Sequence, residues 1–287
     1  MVVEDDNNVS DVYLYTMAND DLQLISIGWN GNVLNGPSDE ARLDAFGEHV
    51  LFCSSATNLV PGAQNTFTQL YLRDIGSGSS TRLTNNLSGE PASGDSGQAI
   101  LAGDWIIFHT EAPDLDIDGP GIYRQNRYNG IRQLVGIDQW GSADPMATRP
   151  AADALGQHIA YQRPDIGGKV QIYLTDALRA ELISLPSDPD LGQIENCCVT
   201  ISGDGKYIAY REQPEQGPAL LHICNRNLCN YERLSWPEEQ ELQQQAPNFS
   251  ADGRKIYWIS PHQGPDLLEI FYQLDNPIYE PLPHDEP

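Results

Sequence analysis

Apolar residues fall along this chain in short bursts separated by Gly, Pro, Asn, Asp and Ser, a pattern that predicts β-strands and turns rather than helices. The clearest burst leaves a polar turn, in Ser250-Ala251-Asp252-Gly253-Arg254-Lys255-Ile256-Tyr257-Trp258. Four other glycines precede bursts of the same kind. Gly47 stands before Glu48-His49-Val50-Leu51-Phe52, Gly103 before Asp104-Trp105-Ile106-Ile107-Phe108, Gly156 before Gln157-His158-Ile159-Ala160-Tyr161, and Gly205 before Lys206-Tyr207-Ile208-Ala209-Tyr210. Subtracting neighbouring positions gives spacings of 56, 53, 49 and 48 residues, the mark of an array of similar units.

Two further signatures recur. An aromatic strand is centred on Tyr13, Tyr71, Tyr123, Tyr173, His222 and Phe271, and a short Leu-Ser/Thr-type strand follows each, as in Leu24-Ile25-Ser26 and Arg82-Leu83-Thr84. With the short strand that ends at the glycine turn, each unit holds four strands. A lone four-stranded sheet would leave both faces in water, so units of this size must stack, and the expected architecture is a propeller. The prediction is an all-β, six-bladed β-propeller of four-stranded antiparallel blades, a single domain over residues 1–287. Its blades fall near 1–27 (partial), 37–86, 90–135, 147–184, 196–235 and 246–283. Six aromatic strands stand beside five glycine strands. The first blade is therefore expected to be incomplete in this chain, to be finished by another segment or subunit.

Phe249-Ser250-Ala251-Asp252-Gly253-Arg254-Lys255-Ile256-Tyr257 resembles the repeat of TolB-like propellers, the WD40-like PD40 family. Ser54-Ser55-Ala56-Thr57-Asn58-Leu59-Val60-Pro61-Gly62, followed by Gln69-Leu70-Tyr71-Leu72-Arg73-Asp74, is similar to a repeat of many bacterial envelope and secreted proteins of that type. The resemblance runs from about residue 9 to 283 and implies a six-bladed propeller in the periplasm or outside the cell. It implies little about activity, because this architecture hosts unrelated functions.

Lys and Arg total 16 against 41 Asp and Glu, a net charge of −25, which disfavours nucleic acid and anionic lipid and favours cations or basic partners. No apolar run is long enough for a transmembrane helix, and Val2-Val3-Glu4-Asp5-Asp6-Asn7-Asn8 lacks the character of a secretion signal. Five cysteines give an odd count. Cys224 and Cys229 flank a hairpin-like stretch and are a candidate disulfide, and the vicinal pair Cys197-Cys198 reads either as a redox or metal site or as two small buried residues.

Asp114, Asp116 and Asp118, set at alternate positions before Gly119, are a candidate calcium site; the competing reading is an acidic solvated loop. Gly94-Asp95-Ser96-Gly97 spells the surroundings of a serine nucleophile, but only His49 precedes it and that residue falls in a strand, so the match reads as chance. His49 and His158 share one register of the repeat with Trp105, Tyr207 and Lys255, which reads as a packing position. His109 and Arg211-Glu212 are candidates for a polar lip. Trp29, Trp140 and Trp236 each follow the last strand of a unit, in the links between blades. Links and second-to-third-strand loops share one face, so these tryptophans are the candidate partner-binding residues, against the alternative that each plugs a seam between blades. The expected function is a non-catalytic protein-interaction or scaffold propeller that takes a protein, a peptide or a glycan. The alternative is a propeller hydrolase or lyase that acts on glycans from the central channel.

Overall fold

The computed structural model describes residues 7–62, 64–116, 118–138, 140–175, 180–183, 194–214, 219–226, 230–235, 247–261 and 269–279. They contain strands and turns and no helix. The chain divides into two compact units, one of residues 1–134 with 142–145 and the other of residues 135–141 with 146–287.

In the first unit, β1 (Tyr13–Thr16) and β2 (Asp21–Leu24) pair as a two-stranded sheet. Next come β3 (Ser38–Leu43), β4 (His49–Ser54), β5 (Gln69–Asp74) and β6 (Ser80–Arg82), then β7 (Ser96–Ala102), β8 (Trp105–Thr110), β9 (Gly121–Asn126) and β10 (Arg132–Leu134). Each group of four is an antiparallel meander in chain order. The second unit repeats the plan with β11 (Thr148–Ala152), β12 (Ile159–Pro164), β13 (Val170–Thr175) and β14 (Ala180–Leu182). It continues with β15 (Ile194–Ile201), β16 (Tyr207–Pro214), β17 (Leu220–Asn225) and β18 (Asn230–Ser235), and then a sheet of β19 (Asn248–Phe249), β20 (Lys255–Pro261) and β21 (Glu269–Asp275). The Leu-type strand expected near Pro281-Leu282-Pro283 lies outside the described residues.

The second strand of each four-stranded sheet is apolar at consecutive positions because both of its faces are covered. In β4, Val50 and Phe52 pack with Val12 and Ile25, which flank the β1–β2 sheet, and with Leu34 of the link after it, whereas Leu51 and Cys53 pack with Ile106, Phe108 and Tyr123 of the following sheet. Period-two geometry sends alternate residues to opposite neighbours, so a strand between two sheets reads as a continuous run. In β16, Ile208 and Tyr210 join the cluster with Ala160, Ile172 and Leu174, while Ala209 joins Ile223 and Ile256. Each large side chain buried this way contributes about 1.5–3 kcal/mol.

The repeated glycine closes the hairpin between the first and second strands. Gly47, Gly156, Gly205 and Gly253 have φ of 69°, 64°, 70° and 73°, where a Cβ is strained, and each donates its N–H to the carbonyl three residues back. The carbonyls belong to Asp44, Asp153, Ser202 and Ser250.

Candidate functional site

The link that leaves β2 is a small bridged loop in which Ile27 pairs with Val33, Gly28 N–H donates to the Asn32 carbonyl (2.9 Å) and Gly31 N–H to the Gly28 carbonyl (2.8 Å). Its tip carries Trp29, 64% exposed. The loop is fastened to the one that follows β4. Trp29 N–H donates to the Leu59 carbonyl (3.0 Å), Asn58 Nδ2 donates to the Val33 carbonyl (2.9 Å), and Asn35 exchanges hydrogen bonds with Thr57. Gly28 fits only because it is glycine: a Cβ would stand 2.7 Å from the Asn58 carbonyl oxygen. The tryptophan is thus displayed in water from a backbone that has little freedom.

The next link repeats the design. Asn85 bridges Pro91, Asn86 and Glu90 close the loop, and its tip is Leu87, 68% exposed. Trp140, 79% exposed, belongs to the second unit, where its N–H donates to Asp138 Oδ1 (2.8 Å). Neither Trp29 nor Trp140 fills a seam, and Trp236 lies outside the described residues.

Asp114, in the loop after β8, clamps the second link as Asn58, in the loop after β4, clamps the first. Its Oδ1 accepts the Ser93 N–H (2.7 Å) and its Oδ2 accepts from Asn86 Nδ2 (3.2 Å). Burial opposes its ionisation, but the hydrogen bonds from Ser93 and Asn86 outweigh it and hold the carboxyl below the usual range. The structure does not gather Asp114, Asp116 and Asp118 into a ligand set. Among the described residues, the one group of His, Cys, Asp or Glu with ligand atoms within 4.8 Å of one another is Asp44, Glu48 and His49. Asp114→Asn, which would turn an amide donor toward the Asn86 Nδ2 donor while keeping the Ser93 contact, is expected to cost about 1 kcal/mol, and Asp114→Ala about 1–2 kcal/mol. Urea titration measures both, and a calcium-dependent melting shift that needs Asp114 would contradict the assignment.

Each residue of Gly94-Asp95-Ser96-Gly97 has a packing reason. Gly94 lies against the backbone of Ala112, where a Cβ would be 2.6 Å away, as Gly36 lies against Ala56 one repeat earlier. Asp95 Oδ1 accepts the Thr68 N–H (2.7 Å), and buried Ser96 shares a hydrogen bond with Thr110 across the ladder (2.8 Å). Gly97 faces the Glu40 carboxylate and the Cys53 thiol.

The first strand of four sheets carries a β-bulge, with register shifts after Asp39, Gly97, Thr148 and Cys197. The residue that follows each is left-handed: Glu40 (φ 51°), Gln98 (54°), Arg149 (50°) and Cys198 (61°). A non-glycine residue there costs of order 1 kcal/mol or more and persists only where the surroundings impose it. In the first unit the strain is shared, since Gln98 N–H donates to Glu40 Oε2 (2.6 Å) and Cys53 Sγ to the same oxygen (3.4 Å). Burial, reinforced by the Glu40 charge, pushes the Cys53 thiol up.

The solved structures fit these sheets. TolB from Acinetobacter baumannii superposes with a TM-score of 0.57 at 15% identity, covering 92% of this chain and 57% of that one. A protein assigned as TolB from Agrobacterium tumefaciens gives 0.52 at 13% identity, over 94% of this chain and 84% of that one. The fold is a TolB-like β-propeller. Pyrococcus horikoshii acylaminoacyl peptidase also matches, at 0.54 and 11% identity, over 92% of this chain and 40% of that one. No protein-family model and no curated protein matches the sequence.

The bulges fall on the first strand of each of the four four-stranded sheets. Facing the residue before each bulge are Cys53, His109, Gln162 and Arg211. Burial lowers the His109 pKa against the opposing influence of Glu111 and the Pro145 carbonyl. Arg211 and Glu212 are buried rather than at a lip: Glu212 Oε2 meets His222 Nε2 at 2.8 Å, and His222 stacks on Tyr210 with centroids 4.8 Å apart.

The histidine register of the first hairpin turn is also more than packing. His49 Nδ1 lies 2.9 Å from Asp44 Oδ2, and His158 Nδ1 lies 2.6 Å from Asp153 Oδ2. Where the turn starts with Ser202 or Ser250 instead, the hydroxyl accepts the N–H of Tyr207 or Lys255 and no histidine is present. Arg127 of the following blade adds a contact to Asp44 Oδ2 (3.2 Å). A guanidinium therefore already pairs with the Asp44 oxygen that faces His49. Of Cys224 and Cys229, the second lies outside the described residues; the ladder sets Tyr231 opposite Cys224.

Proposed function

We propose that this propeller is a non-catalytic interaction module of the bacterial envelope or exterior, which binds a protein or peptide through the face that carries the link loops. The setting follows from the resemblance of the repeat. The observation that carries the binding reading is Trp29, 64% exposed on a loop that four hydrogen bonds to the next loop and a glycine contact hold in place. A large aromatic shown from a rigid backbone gives contact area at low entropic cost. Leu87 repeats the display one blade on, and Trp140 offers the same in the other unit. The net charge of −25 points to a basic partner surface.

Pull-down from envelope extract with the full chain, compared with Trp29→Ala and Trp140→Ala, tests the reading. Each substitution is expected to weaken capture about tenfold or more while leaving the melting temperature unchanged, because neither side chain is buried. Undiminished capture by the double variant would place the binding face elsewhere.

A further inference from the structure

Neighbouring residues of a regular strand point to opposite faces, which keeps adjacent cysteines apart. In β15 the bulge removes that separation. Cys198 takes φ 61°, the register slips after Cys197, and the two Sγ atoms come to 2.6 Å, about 0.5 Å beyond a sulfur–sulfur bond. The cysteines do not impose this backbone, because Glu40, Gln98 and Arg149 hold the same conformation at the same place in other blades. They occupy a scaffold that sets two consecutive side chains against each other.

The surroundings set an order of attack. Cys197 is half-buried and Cys198 is buried, so reagents reach the first before the second. Cys197 faces Arg211 across the ladder, and the charges of Arg211 and Arg149 oppose the rise that the Cys197 contact and burial impose on the Cys198 thiol.

We propose that Cys197 and Cys198 form a reversible oxidation site that closes to a vicinal disulfide when a small disulfide such as oxidised glutathione serves as oxidant. The Cys197 thiolate attacks one sulfur of the oxidant, forming a mixed disulfide and expelling one glutathione thiolate. Cys198, once deprotonated, attacks Cys197 Sγ, breaks the mixed bond and releases the second glutathione. The two cysteines lose two electrons, the oxidant gains them, and the two protons end on the two released thiols. The ring that closes is small and strained, so the bond is readily reduced.

Trypsin makes the test clean. Cleavage after Arg179 and Lys206 gives the peptide Ala180–Lys206, which holds Cys197 and Cys198 and none of the other cysteines. The full chain is treated with oxidised glutathione, alkylated with iodoacetamide, digested and weighed. The peptide is expected unalkylated and lighter than its reduced form by two hydrogen atoms, with dithiothreitol restoring two alkylation sites. In Cys198→Ser, glutathione should stay on Cys197, because the resolving thiol is gone. A dialkylated wild-type peptide, or a glutathione adduct that persists on it, overturns the proposal. An adduct-free variant overturns the assignment of Cys197 as the attacking thiol, and the wild-type measurement stands alone if the variant does not fold.

Discussion

Gly94→Ala is expected to be among the most damaging single-atom changes available in this chain, lowering unfolding free energy by about 2–4 kcal/mol. The added Cβ would lie 2.6 Å from both N and Cα of Ala112 and 2.8 Å from the Glu111 carbonyl carbon. All three are backbone atoms of the segment that leaves β8, so no side chain can swing away. Ser96→Ala, two residues along, removes one hydroxyl whose partner is Thr110 and should cost only about 1 kcal/mol. Equilibrium urea unfolding distinguishes the two. The order matters as much as the size: a nucleophile motif would put its weight on the serine, whereas a packing motif puts it on the glycine. Equal stability of Gly94→Ala and the parent chain would contradict this account of the link.

Asp44 carries the second large effect. It is buried, accepts the N–H groups of Glu48 (2.8 Å) and His49 (3.2 Å), and meets both the His49 ring and Arg127. Burial alone would raise its pKa, but the Glu48 N–H, the two His49 contacts and Arg127 together bring it down to about 2, from 3.8 in the absence of these contacts. A folded pKa below the unfolded one means that the contribution is complete above about pH 4 and fades as pH falls toward 2. Because His49 and Glu48 leave one side of the cluster open to solvent, it is worth about 1–2 kcal/mol rather than the full shift. Asp44→Asn should therefore flatten the loss of stability between pH 4 and pH 2 relative to the parent. Asp44→Ala, which also removes the carboxylate partner of Arg127, should cost about 2–3 kcal/mol at pH 7. Chemical denaturation at stepped pH gives both, and an unchanged acid limb in Asp44→Asn would contradict the cluster.

These two residues show how differently parts of the molecule are written in the sequence. The strands and their order are legible because burial on both faces demands apolar runs such as Val50-Leu51-Phe52-Cys53, and the turn glycines because φ near +70° demands glycine. Repeat comparison also held a sign of the Asp114 role. Asn58 stands at the same place with no acidic neighbours, which marks the position as a clamp on the preceding link rather than one ligand of three. The pairing of His49 with Asp44 and of His158 with Asp153 was visible as a shared five-residue spacing that the serine-started turns lack. The bulges were not legible. Glu40, Gln98, Arg149 and Cys198 share no chemical character, so a strained backbone imposed by the ladder leaves no common residue type to find. For the same reason the proximity of the Cys197 and Cys198 thiols depends on the backbone, and adjacency in the sequence alone left it open.

The tryptophan display lies between these cases. Position in the link was readable, but whether Trp29 faced water or filled a seam depended on how Asn58, Asn35 and Leu59 hold the loop. Site-specific photocrosslinking tests the proposed binding face most directly. Benzoylphenylalanine would be placed at position 29, at position 87 and, as a control, at position 46, where Phe46 is 81% exposed at the opposite end of the β3–β4 hairpin. The account predicts the same partner adduct from positions 29 and 87 and none from 46. Adducts from 46 with none from 29 would contradict it.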